Sequence, residues 1–85
     1  MPANRKISPN QLSSILEKHR LWLLNNPAGE RGDLRGADLR DANLSDTSLR
    51  GADLRDANLS DTSLSDADLR WANLHGADIR GADIC

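Results

Sequence analysis

From Asp33 to Cys85 a leucine or isoleucine stands at every fifth position: Leu34, Leu39, Leu44, Leu49, Leu54, Leu59, Leu64, Leu69, Leu74, Ile79 and Ile84. A period of five suits neither ordinary element. On an α-helix five residues advance by roughly 500°, so successive leucines step about 140° around the axis and most would be wet. On a flat strand an odd spacing sends alternate leucines to opposite faces. The pattern is satisfied when the chain bends once per unit, always in the same sense, so that every leucine points toward one axis. Gly, Asp, Asn or Ser flank each leucine, and each lets the backbone turn at low cost. Two residues before each leucine sits Gly32, Thr47, Thr62 or an alanine, a second inward column in a narrow interior.

The units read GDLRG, ADLRD, ANLSD, TSLRG, ADLRD, ANLSD, TSLSD, ADLRW, ANLHG, ADIRG and ADIC. They resemble the A-(D/N)-L-x-x repeat of the pentapeptide-repeat family over most of the chain. The resemblance implies a mainly β fold, a right-handed, four-sided parallel β-helix with four units per coil. Eleven units then make about 2.75 coils, with residues twenty apart stacked about 4.8 Å from one another. The segment RGADLRDANLSDTSL occurs twice in succession, from Arg35 to Leu49 and from Arg50 to Leu64, which points to growth by duplication.

The expected division is residues 1–31 as a flexible lead, capping helix and linker, and residues 32–85 as the β-helix. Within the first part, Met1 to Ile7 reads as the lead. Ser8 as N-cap, Pro9 at the first helical position and Gln11 three residues on form a capping box, with Ile7 and Leu12 as a hydrophobic staple. Leu12, Ile15, Leu16, His19, Trp22 and Leu23 recur at helical spacing on one face. Pro27 biases Asn26 away from helical geometry and ends the helix. A solenoid's first coil has no outer neighbour, so this helix is expected to cap it. The string from Leu12 to Leu23 also resembles the segment that precedes the repeats in bacterial members.

Eighty-five residues make one small domain. A single Cys offers no disulfide framework and no metal-ligand set, so a reducing cytoplasm is the expected compartment. No run is long and apolar enough to span a bilayer, and the polar, basic start does not read as a secretion signal. The net charge of −2 hides an asymmetry. Up to Gly32, Arg5, Lys6, Lys18, Arg20 and Arg31 oppose Glu17 and Glu30, a net of +3; from Asp33 onward six Arg oppose eleven Asp, a net of −5.

Nothing in the chain assembles catalytic chemistry, so no enzyme and no cofactor are expected. His19 falls on the docked helix face, His75 should point outward alone, and Cys85 has no evident base beside it. The Asp columns lack the Gly-rich nonapeptide loop of calcium-binding β-rolls, so no metal is expected. Trp71 replaces the usual Gly or Asp after its leucine and should stand outside, over Gly51. Two roles are open to it: covering the bare backbone at Gly51, or anchoring a partner.

The expected function is a non-catalytic, structural module that binds a protein partner through outward columns of Asp and Arg, with Asp41, Asp46, Asp56, Asp61, Asp66 and Trp71 as the surface. Direct nucleic-acid binding and membrane association are not expected. The resemblance implies a second reading, mimicry of duplex DNA toward a gyrase-type topoisomerase. Yet a rod of roughly 13 Å corresponds to about eight DNA charges, against a net of five here. An end-to-end homodimer, weak in affinity, through Leu69, Leu74, Ile79 and Ile84 of the C-terminal coil would bring that mimicry into range. A truncated copy of a longer repeat protein is a third reading.

Overall fold

The computed structural model describes residues 5–84. Its elements are a short strand β1 (Arg5–Lys6), a helix α1 (Pro9–Leu23) and a second short strand β2 (Ala37–Asp38). β1 pairs with β2 in parallel, Arg5 opposite Ala37 and Lys6 opposite Asp38. Arg5 and Lys6 were expected in a flexible lead; pairing instead gives the backbone of β2 a partner on its outer side, where it would be an open edge.

The helix begins as its sequence dictates. The Ser8 hydroxyl accepts from the Gln11 N–H at 3.1 Å, and the Gln11 side chain accepts from the Ser8 N–H at 2.8 Å. Its end differs from expectation. Asn25 takes a left-handed φ of 58°, the Asn25 N–H donates to the Trp22 carbonyl, and the Asn26 N–H donates to the Leu21 carbonyl. This is a Schellman closure, which stops the helix two residues before Pro27 can act. Gly29 then lies directly on the Trp22 and Leu21 backbone, where any Cβ would collide.

The repeat region is built from turns. In unit after unit the leucine carbonyl accepts from the N–H three residues on, as in Ala37 to Leu34, Ala52 to Leu49 and Ala82 to Ile79. The residue two after the leucine has positive φ throughout: Gly36, Asp41, Asp46, Gly51, Asp56, Asp61, Asp66, Trp71, Gly76 and Gly81, between 58° and 74°. Positive φ at the third residue of a four-residue turn is the type II arrangement. Asp tolerates this region because its short side chain can bond locally.

The expected mainly β, four-sided parallel β-helix of about 2.75 coils is corrected by this pattern. Among the described residues regular strand is confined to β1 and β2, and their two-stranded sheet is neither closed nor curled. The reason is arithmetic within the unit: a four-residue turn in every five leaves one residue to pair, too few for a strand. That residue, directly before each leucine, makes an isolated parallel bridge to its counterpart twenty positions on, from Asp33 with Asp53 to Ser63 with Asp83.

The core is the inward column. Leu34, Leu39, Leu44, Leu49, Leu54, Leu59 and Leu64 are buried together with Ala37, Ala52 and Ala57. Ile7 and, from α1, Leu12, Ile15 and Leu16 pack against this cluster at one end. Thr62 enters it because its hydroxyl donates to the Leu39 carbonyl at 2.8 Å.

Candidate functional site

The structure sorts the aspartates of the array into two kinds. Those directly before a leucine or isoleucine are occupied. The Asp33, Asp38, Asp53, Asp68 and Asp78 carboxylates each accept from the backbone N–H two residues on and take a two-pronged ion pair from the same residue's side chain: Arg35, Arg40, Arg55, Arg70 and Arg80. The guanidiniums hold Asp33, Asp68 and Asp78 at about 2 and push Asp38 and Asp53 down as well. Where Asn stands before the leucine, at Asn43, Asn58 and Asn73, the same N–H bond is made and the residue two on is Ser or His. In these five units the aspartate and the arginine two residues on neutralise each other.

The second kind occupies the left-handed corners. Asp41, Asp46, Asp56, Asp61 and Asp66, the carboxylates expected to form an interaction surface, are all exposed corner residues, and none makes an ion pair among the described residues. The Asp56 and Asp61 carboxylates lie over Gly76 and Gly81, one repeat level away, where a Cβ would strike them. Asp41 with Asp61 and Asp46 with Asp66 stand twenty residues apart on neighbouring corners. Between them lie Asn43, Ser45 and Ser63, the two serine hydroxyls 2.7 Å apart, and no Arg or Lys interrupts the stretches 41–46 and 61–66.

Trp71 shares the corner geometry but not the chemistry. Its side chain is 82% exposed on a backbone with φ of 65°, a conformation that costs a bulky residue about 1–3 kcal/mol. Of the two roles open to it, covering Gly51 belongs to another residue. The Trp22 ring lies 3.3 Å from where a Gly51 Cβ would be. Trp22, Gly51 and Trp71 line one groove of about 770 Å³ with Asn25, Arg50 and Asp68.

His19 is the fully buried side chain of α1. Its Nδ1 accepts from the Gly32 N–H at 2.9 Å, so Nε2 carries the proton and donates to the Arg50 carbonyl at 2.9 Å. Burial pushes its pKa below the usual imidazole value, opposed by the Arg50 carbonyl and aided by the charge of Arg31. The ring stacks on Trp22 at 5.3 Å between centroids. His19 therefore ties the helix to the array as a neutral bridge.

The expected dimer end is unevenly covered. Leu69 and Leu74 are half-buried, while Ile79 and Ile84 are 46% and 52% exposed. His75 is exposed, and Cys85 lies outside the described residues. Among the described residues no group of three or more His, Cys, Asp or Glu side chains is placed to hold a metal ion. Nor, among the described residues, is any helix long and apolar enough to cross a membrane.

Reading the units one by one missed Arg50 and Trp22. The signal for Arg50 is in the sequence: every other arginine of the array follows Asp by two, whereas Arg50 follows Ser48. Trp22 carried no comparable signal, since its partner Gly51 is far along the chain.

A crystal structure of a pentapeptide repeat protein from Nostoc Pcc 7120 matches with 33% sequence identity, covering 92% of this chain, at a TM-score of 0.36. The chain spans 63% of that protein's length. No curated protein matches it. The family model for pentapeptide repeats matches residues 30–56 and 52–85, in eight copies. By that match, and by the turn in each five-residue unit described above, the chain belongs to the pentapeptide-repeat family.

Proposed function

We propose that the protein is a non-catalytic interaction module that holds a basic surface of a protein partner through its corner carboxylates. One observation carries this reading: charge is segregated by position. Aspartates that shape the turns are neutralised by their own arginines, whereas Asp41, Asp46, Asp56, Asp61 and Asp66 are exposed and left without an ion pair. The array's negative charge thus sits mainly on a regular frame of corners. A frame of one sign draws in a partner of the other sign and fixes its register more than it adds raw affinity.

The test replaces Asp41, Asp46, Asp61 and Asp66 together by Asn, which tolerates the left-handed backbone and should keep the fold. Native and variant proteins are immobilised side by side and challenged with the same cell extract. The reading expects a partner held by the native protein, released as salt rises and absent from the variant. Equal retention by both, or by neither, would overturn it.

The carboxylate corners 41/61 and 46/66, each pair on successive levels, favour a narrower second reading, mimicry of DNA toward a topoisomerase. Inhibition of gyrase supercoiling by the native protein, lost in the Asn variant, would single it out. The exposed Ile79 and Ile84 support the end-to-end dimer through Leu69, Leu74, Ile79 and Ile84. An isologous contact of that kind would be dissociated by Ile84→Asp, a change in mass that light scattering reads directly.

A further inference from the structure

The groove at the junction of helix and array differs in chemistry from the acidic corners. Two indoles line it, Trp22, 38% exposed and lying against Gly51, and Trp71, 82% exposed. Trp71 holds its place in a strained left-handed conformation where Gly or Asp serves every other corner. Strain that contributes nothing to packing is kept at sites that bind.

The charged residues lining the groove are Arg50 and Asp68. Asp68 is already bound by Arg70 at 2.9 Å. Arg50 is the one arginine of the array whose unit has Ser instead of Asp before the leucine, and its guanidinium makes no ion pair among the described residues. Arg31, which is not part of the lining, donates to the Gly51 carbonyl at 2.6 Å. Asn25 and Ser48 line the same groove, their side chains without a hydrogen bond among the described residues. Flat aromatic walls accept rings better than long side chains. Proline-rich segments dock in aromatic-lined grooves because their extended form is already ordered before binding.

The geometry points to this groove as the docking site of an extended, proline-containing segment of a partner protein that bears a carboxylate. The proline rings lie on the Trp22 and Trp71 indoles, the carboxylate pairs with Arg50, and Asn25 and Ser48 bond the segment's backbone. Asp46 and Asp66 stand near Arg50 and Arg70 in the chain, so one carboxylate fits where an acidic run would be repelled. This surface is separate from the corner frame and does not depend on it.

A short polyproline peptide with one central Glu is the probe, read by tryptophan emission of the full chain, with the same peptide carrying Lys as control. Saturable binding of the Glu peptide is expected, weaker for the Lys peptide and weakened about tenfold or more by Arg50→Gln and by Trp71→Gly. The variant with Asn at the four corners should bind as the native protein does. Helical circular dichroism and the melting curve establish that each variant is folded. No saturation at millimolar peptide, equal binding of the Lys peptide, or unchanged affinity in folded Trp71→Gly would overturn the proposal. So would loss of binding in the corner variant with Arg50→Gln unaffected, which would place the peptide on the acidic frame.

Discussion

The same five-residue unit gives a sealed interior near α1 and a half-open one at the far end. Leu39 and Leu59 are 3% and 0% exposed, whereas Ile79 in the same column is 46% exposed; Leu44 and Leu64 are 0% and 1%, and Ile84 is 52%. Neither residue type nor turn geometry accounts for this, since Ala82 donates to Ile79 as Ala42 does to Leu39. What changes is the cover. Among the described residues Asn58 bridges both Asp38 and Asp78, and Ile7, Leu12, Ile15 and Leu16 cover the cluster, whereas Asp78 and Asp83 bridge only to Asn58 and Ser63. In stacked repeats a position's contribution therefore depends on its level more than on its residue.

The sharpest way to break that comparison is to truncate one leucine and one isoleucine of the same column. Leu59→Ala should destabilise by about 2–5 kcal/mol and Ile79→Ala by less than about 1.5 kcal/mol. Urea unfolding of the two variants measures both, and equal losses would show that the end of the array is as well packed as its middle.

The cover itself is tested at His19. His19→Ala leaves the Gly32 N–H and the Arg50 carbonyl without their buried partner and should cost about 2–4 kcal/mol. The bridge also makes the covered region sensitive to acid. A neutral histidine with a depressed folded pKa contributes stability that is present above about pH 6.5 and is lost as pH falls below it. Thermal melts should therefore fall as pH drops below about 6.5 in the parent, and that fall should be absent in His19→Ala. A second loss belongs to the array. Asp33, Asp68 and Asp78, held at about 2, contribute stability that is full above about pH 4 and fades as pH approaches 2. That loss should appear in both proteins.

The smallest expected effect has the opposite sign. Trp71→Gly removes a bulky side chain from a left-handed corner and should stabilise the chain by about 1 kcal/mol. A melting temperature that rises slightly would show that Trp71 is kept for something other than stability; a marked fall would return it to the packing of the uncovered half.

The sequence by itself determined what neighbours along the chain decide. The period of five set the inward leucines, the capping box set where α1 begins, and Asp and Arg two residues apart set the ion pair of five units. All of these act within a turn or so of backbone, so the residue pattern carries them. The four-sided parallel β-helix expected from the family resemblance is corrected because the same local turn chemistry uses four residues of every five and leaves a single bridge per unit. Only the tertiary structure decided what meets across distance: β1 against β2, His19 between Gly32 and Arg50, and Trp22 over Gly51. Nothing in the repeat announces those partners. They follow from how the helix lies on the first levels, which depends on the shape of two surfaces that exist only once each has folded.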